Sequence, residues 1–414
     1  MLTRRFSVLA SVLASGLAAS VPAFAQQRKP APARPPAPHP QAGRPRTKDV
    51  VPTGSPADSP LGPVDTGAKW AIALDFTTGA TLLEKAPDEE MPPSSMTKLM
   101  TIYLVYERLK QGRLKLDDQL TVSERAWKMG GSKMFVQVGT QVRVEDLIRG
   151  VIVQSGNDAA VVLAEALAGS EEQFAESMNA KAKTMGLKHS QFRNCTGWPD
   201  AEQHMSVRDI ATVARRIVLD FPEYYHYDAE KSFKYNNIEQ ENRNPMVQKG
   251  TADGLKTGHT DAGGYGLVAS AVRSGRRVVL VLNGMASMKE RGEEGERLMD
   301  WCFANYENVT LFSAGDTIES APVWLGTSKD VPLIAGRDLT VTMPRNWRDN
   351  AAVRVSFESP VRAPVMKGDV LGNLTLGGKG VPPLNVQLLA GADVPRLGLP
   401  GRSMAMLHHL TGGR

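Results

Sequence analysis

Cysteine is nearly absent from this sequence: Cys195 and Cys302 are the only two among 414 residues. Two thiols cannot build a disulfide framework, so the chain must fold on hydrophobic cores, and both thiols are expected to stay unpaired. Cys302, between Trp301 and Phe303, reads as a small buried apolar residue. Histidine is also sparse. His189, His204 and His226 stand at no metal-ligand spacing and no His-Glu-x-x-His occurs, so no metal or other cofactor is expected. Aromatic residues make up only 6% of the chain, and no internal repeat is visible. After the first 25 residues no apolar run approaches the ~20 residues that span a bilayer. A strong excess of one charge is missing too. The net charge is +5, and residues 1–60 supply it, with eight Lys and Arg against two acids. The remaining chain carries 41 basic and 42 acidic residues, a balance that argues against nucleic acid as a partner.

What is present divides into five parts. Arg4 and Arg5, the uncharged stretch Phe6–Ala19 and the Ala23-Phe24-Ala25 site mark residues 1–25 as an export signal. Arg4-Arg5-Phe6 leaves the twin-arginine and general export routes both open. Residues 26–63 hold eleven prolines and read as an extended linker that cannot bury a core. Residues 64–308 alternate helix-like and strand-like segments, the pattern of an α/β domain with a sheet flanked by helices. Residues 309–396 carry short strand-like runs separated by Pro, Gly and Asp, the pattern of a small all-β domain. Residues 397–414 read as a tail in which Pro400–Arg414 could form a short helix with Met404, Leu407 and Leu410 near one face.

Within the α/β part, Lys69–Glu84 reads as two strands around a turn at Thr77-Thr78-Gly79. Leu99–Leu109 has helical spacing, and Leu147–Ala168 reads as one long apolar helix. Leu267–Ala271 and Arg277–Asn283 read as neighbouring strands, and Glu293–Tyr306 as a closing helix. In the β part the predicted strands are Leu339–Met343, Val353–Phe357, Val370–Leu376 and Leu384–Leu389.

Three short motifs carry chemistry. Ser95 and Lys98 stand three apart at the start of an apolar helix, so the hydroxyl and amine share a face. A serine needs a base to become a nucleophile, and a lysine serves as one only if burial or a neighbouring cation lowers its pKa. Ser155-Gly156-Asn157 interrupts an apolar segment, where polar groups left unpaired cost about 1–3 kcal/mol each. Lys256-Thr257-Gly258-His259 enters a strand whose glycine lets a substrate backbone lie close. Taken singly, each motif has an ordinary alternative: a capping serine with a surface lysine, a capping turn, or a hairpin with a solvated lysine. Their order and domain-scale spacing match the trio of penicillin-binding proteins and class A β-lactamases.

Over roughly Lys69–Leu410 the chain resembles the low-molecular-mass penicillin-binding proteins that are serine D-alanyl-D-alanine carboxypeptidases. The likeness extends to Ser206-Val207-Arg208-Asp209 and to the β-rich tail. It implies Ser95 as acylated nucleophile, Lys98 as its general base and Ser155 as proton relay. Asn157 would bind the substrate peptide, while Lys256 and Thr257 would hold its carboxylate. The N–H groups of Ser95 and His259 would form the oxyanion hole. Arg291 stands where the family carries a carboxylate-binding arginine, although the sequence here is Glu290-Arg291-Gly292 rather than Gly-Arg-Glu. The implied partners are peptidoglycan stem peptides and β-lactams, in the periplasm, with the tail a candidate for weak attachment to the membrane surface. The alternatives are a β-lactamase, a D,D-endopeptidase and a non-catalytic β-lactam sensor. Glu176 and Asn179 have the wrong spacing for a β-lactamase Glu-x-x-x-Asn loop, and no transmembrane signalling segment accompanies a sensor.

Overall fold

A computed structural model describes residues 55–378, 381–401 and 403. The export signal, the linker up to residue 54 and the tail from residue 404 lie outside these described residues. The linker expected to reach residue 63 in fact gives way to packed chain earlier. Ala57 is fully buried and bridges Val64, and Asp58 bridges Glu84.

Strands β1 (Trp70–Asp75) and β2 (Thr81–Lys85) form the predicted hairpin. Asp75 fixes its turn, because Oδ1 accepts the N–H groups of Thr77 and Thr78, both at 3.0 Å. A 3-10 turn at Ser94–Thr97 then feeds α1 (Lys98–Lys110), which buries ten residues and runs through the core as its apolar sequence requires. Strand β3 (Gln119–Thr121), helix α2 (Glu124–Lys128) and strand β4 (Gln141–Arg143) lead into α3 (Val144–Ile152) and α4 (Asn157–Ala168).

The single helix expected over Leu147–Ala168 is thus two helices. The break falls at Val153–Gly156, where Ser155 adopts φ 59°, a left-handed conformation incompatible with a continuing helix. Apolar periodicity continues across the break because both helices face one core, so the pattern could not reveal it.

Helices α5 (Glu171–Met185) and α6 (Val207–Asp220) begin at the capping serines Ser170 and Ser206, each accepting a backbone N–H. Strands β5 (Ser232–Tyr235) and β6 (Ile238–Glu241) form a small hairpin, followed by α7 (Pro245–Lys249). The chain then enters β7 (Gly254–Thr260), β8 (Gly264–Arg273) and β9 (Arg276–Met285) and closes with α8 (Met288–Asn305). The five-stranded sheet runs β2-β1-β9-β8-β7 with antiparallel neighbours, leaving β7 on an edge. Val279 and Val281 pack on one face with α1, α3, α4 and α6; Val278, Leu280 and Leu282 pack on the other with α8. Coverage of both faces explains why β9 is apolar without alternation.

The C-terminal part is all-β. It contains β10 (Tyr306–Phe312), β11 (Thr317–Trp324), β12 (Asp330–Ala335), β13 (Leu339–Pro344), β14 (Ala351–Phe357), β15 (Val361–Arg362), β16 (Val370–Gly378) and β17 (Val381–Ala390). Six strands form a sheet in the order β14-β16-β17-β12-β11-β15, and β10 pairs with β13. Only half of these strands were predicted, because runs such as Thr317–Trp324 interrupt their apolar residues with Glu, Ser and Pro. Cys195 and Cys302 are both free and buried, in different hydrophobic clusters. Among the described residues no helix is long and apolar enough to cross a membrane.

Candidate active site

Ser95 sits in the 3-10 turn and Lys98 opens α1, so the three-residue spacing brings the two functional atoms together. Lys98 Nζ donates to Ser95 Oγ at 2.9 Å and to the Thr196 carbonyl at 2.7 Å. Lys98 is fully buried, and that desolvation brings its pKa down to about 7, with Arg243 adding a smaller push in the same direction. Burial therefore disfavours the charged amine by roughly 5 kcal/mol relative to water. The lysine is capable of being a neutral base near neutral pH.

The loop that reaches Lys98 is shaped by Asn194, whose Oδ1 accepts N–H groups from Thr196, Gly197 and Trp198. Gly197 has φ +82°, and a Cβ there would fall 1.8 Å from the Ser94 carbonyl oxygen. The serine turn and this loop meet backbone to backbone.

The break between α3 and α4 delivers Ser155 to the same place. Its residue is 1% exposed and its hydroxyl has no hydrogen-bond partner in the protein, an unsatisfied group of the kind that substrate completes. Asn157 opens α4, donating through Nδ2 to the Gly130 carbonyl at 2.8 Å and through its backbone N–H to the Ser132 carbonyl at 2.7 Å. Next to it stands a residue that sequence reading missed. Asp158 is buried, and its carboxylate accepts the N–H groups of Met134, Phe135 and Val136 at 2.9, 2.9 and 3.2 Å. It pins the loop that carries Ser132 against α4.

Strand β7 supplies the third motif. Lys256 and Thr257 are buried, while His259 is exposed with its ring 4.0 Å from that of Tyr265. Burial pushes the Lys256 ammonium well below its ordinary pKa, and Lys98, Arg243 and Arg291 add repulsion. Gly258 packs against the serine turn so closely that a Cβ would lie 2.1 Å from Ser94 Oγ. This close packing is what sets β7 beside Ser95.

Arg291 comes from the first turn of α8. It donates to the Arg243 carbonyl at 3.3 Å, its Nε is buried without a partner, and burial lowers its pKa. Ser95, Ser155, Thr257, Gly258, His259 and Arg291 all line one cavity of about 450 Å³; Lys98, Asn157 and Lys256 lie buried at its margin. Arg243 also lines it and was not foreseen. It lies just before α7 with no motif around it, so only the fold brings it to the cavity. No lining residue is a carboxylate.

A serine beside a buried lysine, a second serine with a free hydroxyl, and two arginines in one cleft define a serine acyl-transfer enzyme acting on a carboxylate-bearing substrate. The sequence model of the peptidase S11 family, described as D-alanyl-D-alanine carboxypeptidase, matches residues 56–286. That of the penicillin-binding protein 5 C-terminal domain matches residues 306–396. The chain is 39% identical to D-alanyl-D-alanine carboxypeptidase DacA of Haemophilus influenzae, covering 81% of this chain and 87% of that protein. The crystal structure of penicillin binding protein 5 from Haemophilus influenzae superposes with a TM-score of 0.73 at 38% identity, covering 81% of this chain and 100% of that one. Penicillin-binding protein D2 from Listeria monocytogenes, in its ampicillin-bound form, matches with a TM-score of 0.54 at 26% identity, over 58% of this chain and 98% of that one. The protein belongs to the D-alanyl-D-alanine carboxypeptidase family, with the penicillin-binding protein fold of a catalytic α/β domain followed by an all-β domain.

Proposed function

We propose that the enzyme removes the terminal D-alanine of peptidoglycan stem peptides through an acyl-enzyme on Ser95. The observation that carries this reading is the Lys98 amine, 2.9 Å from the Ser95 hydroxyl with a pKa brought down to about 7. Lys98 takes the Ser95 proton as Oγ attacks the carbonyl of the penultimate D-alanine. The N–H groups of Ser95 and His259 stabilise the oxyanion. Ser155 relays a proton to the leaving D-alanine nitrogen, the C–N bond breaks, and water then hydrolyses the ester. Asn157 holds the peptide, and Lys256, Thr257 and Arg291 hold the departing carboxylate. Arg243 joins them from the cavity wall. β-Lactams acylate the same serine, because their ring amide sits where the scissile bond does.

The cavity wall carries no glutamate or aspartate, so it lacks the carboxylate with which a class A β-lactamase activates its deacylating water. Two arginines disfavour an endopeptidase, whose substrate continues beyond the scissile bond. Export through residues 1–25 to the periplasm, and weak attachment to a membrane surface through residues 397–414, belong to the same proposal. So does the division at residues 308 and 396.

The test compares a D-Ala-D-Ala peptide with its C-terminal amide, using wild type and Arg291→Ala, with mass spectrometry of the penicillin adduct. The wild type should strongly prefer the free acid and carry the adduct on Ser95, and Arg291→Ala should lose most of the preference. Equal wild-type rates on acid and amide would overturn the carboxypeptidase reading.

A further inference from the structure

Glu171 opens α5 and is buried, whereas its neighbour Glu172 is exposed. An acid in the first turn of a helix is ordinarily explained by the helix dipole, and the exposed Glu172 already meets that need. Burying a second carboxylate carries a desolvation cost that only good partners offset. We propose that Glu171 is a positioning residue for Lys98: through Cys195 it fixes the Thr196 carbonyl that holds the lysine amine against Ser95. This rests on the base role given to Lys98 above and names the residue that keeps that base in place.

The connection runs through two adjacent residues of one loop. Glu171 Oε1 accepts both the backbone N–H and the Sγ–H of Cys195, each at 3.2 Å. Glu171 Oε2 accepts from Arg125 Nη2 at 2.7 Å, and Arg125 also donates to Glu172 at 2.8 Å. The guanidinium thus clasps α2 to the start of α5 and holds the carboxylate towards the loop. From the other side α1 grips the same two residues. Thr101 Oγ1 donates to the Cys195 carbonyl at 2.7 Å, and Lys98 Nζ donates to the Thr196 carbonyl at 2.7 Å. Thr101 stands three residues after Lys98, on the same face of α1. The loop is therefore held between one carboxylate and two donors of α1, and all five residues are buried. Asn194 shapes the turn from within; Glu171 ties it to a helix. Without that carboxylate the Cys195 N–H and thiol would be buried donors lacking an acceptor, and the loop would shift to satisfy them. The Thr196 carbonyl would move with it, and the amine would lose its aim at Ser95 Oγ.

Charge gives Glu171 a second hold on the same amine. Burial is what chiefly lowers the Lys98 pKa, and the charged groups facing it adjust the result. Asp158 on α4 and Glu171 on α5 favour the ammonium; Arg243, just before α7, and Lys256 on β7 oppose it. The Cys195 thiol stays protonated, because burial and then Glu171 push its pKa well up, so it remains a donor to the carboxylate. Glu171 thus offsets part of the burial that strips Lys98 of its proton, while the loop it anchors sets where the amine points.

The experiment follows acylation by benzylpenicillin over a range of concentrations, which separates initial binding from the acylation rate constant. Rates are taken per acylated serine, so inactive protein does not count. Glu171→Ala should lower the rate constant by about ten- to a hundredfold, the effect of a reacting group misplaced by up to about 1 Å, with initial binding unchanged within about twofold. Glu171→Gln keeps an acceptor for Cys195 and should recover most of the rate. It also removes a negative charge facing Lys98, so its acylation should rise with pH at a lower midpoint than that of the wild type. A merely structural role would lower the melting temperature and the yield of active protein but leave the rate constant and the midpoint where they were. A Glu171→Ala rate constant within about twofold of the wild type overturns the proposal. Where Glu171→Ala does not fold, Glu171→Gln decides, and an unchanged midpoint overturns it. A wild-type rate that does not rise with pH would instead remove the base role of Lys98, and the role of Glu171 with it.

Discussion

Lys98 Nζ lies 2.9 Å from Ser95 Oγ, and its other hydrogen bond goes to the uncharged Thr196 carbonyl. An amine held by two neutral oxygens and sealed from water has little to keep it protonated. Acylation by benzylpenicillin should therefore rise with pH as Lys98 loses its proton, with a midpoint near 7, and Lys98→Arg should be nearly inactive because arginine stays charged. A flat rate between pH 5.5 and 8.5 would falsify the base role.

The same group sets a dependence of stability on pH. The unfolded lysine keeps its proton up to about 10.5, while the folded one releases it at about 7, so the unfolded state binds more protons between those values. Stability must rise with pH through that window. Thermal unfolding of wild type and Lys98→Met from pH 6.5 to 9 reads the contribution of Lys98. The wild type should gain on the variant as pH rises; parallel curves would mean that Lys98 does not titrate there.

Ser155 is placed by a helix break and leaves its hydroxyl unpaired. Ser155→Ala should slow peptide hydrolysis by about a hundredfold or more, the usual range for a proton-transfer group, without lowering the melting temperature. The melting temperature separates a chemical role from a structural one. A variant that hydrolyses peptide at the wild-type rate would take Ser155 out of the mechanism.

Asp158 holds three backbone N–H groups from inside the protein. Hydrogen bonds to charged groups contribute roughly 1.5–3 kcal/mol each, so Asp158→Ala should cost about 3 kcal/mol or more in urea unfolding. Asp158→Asn, which still accepts hydrogen bonds, should recover part of that. Acylation should fall as well, because Ser132 lines the cavity on the loop that Asp158 holds.

Gly197→Ala tests the contact between the Thr196 loop and the serine turn. A Cβ would lie 1.8 Å from the Ser94 carbonyl at a backbone φ of +82°, so the loop must withdraw. Withdrawal also removes the Thr196 carbonyl from Lys98. Both the melting temperature and the acylation rate should drop, and wild-type values of either would show that the loop does not hold the lysine.

Much of the site was legible in the sequence because its chemistry is local. Ser95 and Lys98 meet through helical spacing, and Lys256 to His259 lie on one strand, so short motifs capture them. Arg243 and Asp158 were not legible. Arg243 has no motif around it, and Asp158 reads as one more polar residue near a helix start. Their roles come from contacts 111 and 22–24 residues away in sequence. The strands missed in the β domain are interrupted by Glu, Asn, Asp, Ser or Pro, and their pairing is set by neighbours rather than by their own pattern.

The sequence alone pointed to the candidate reacting residues, their order and the two-part architecture, since motif chemistry and apolar periodicity are written residue by residue. Packing added that Leu147–Ala168 is broken at Ser155, that β7 is an edge, and that Arg243 and Arg291 line one cavity. It also buried Lys98, and that desolvation lowers its pKa to about 7. These are properties of distance and solvent exclusion. They arise when segments far apart in the chain pack together, and no local pattern encodes them.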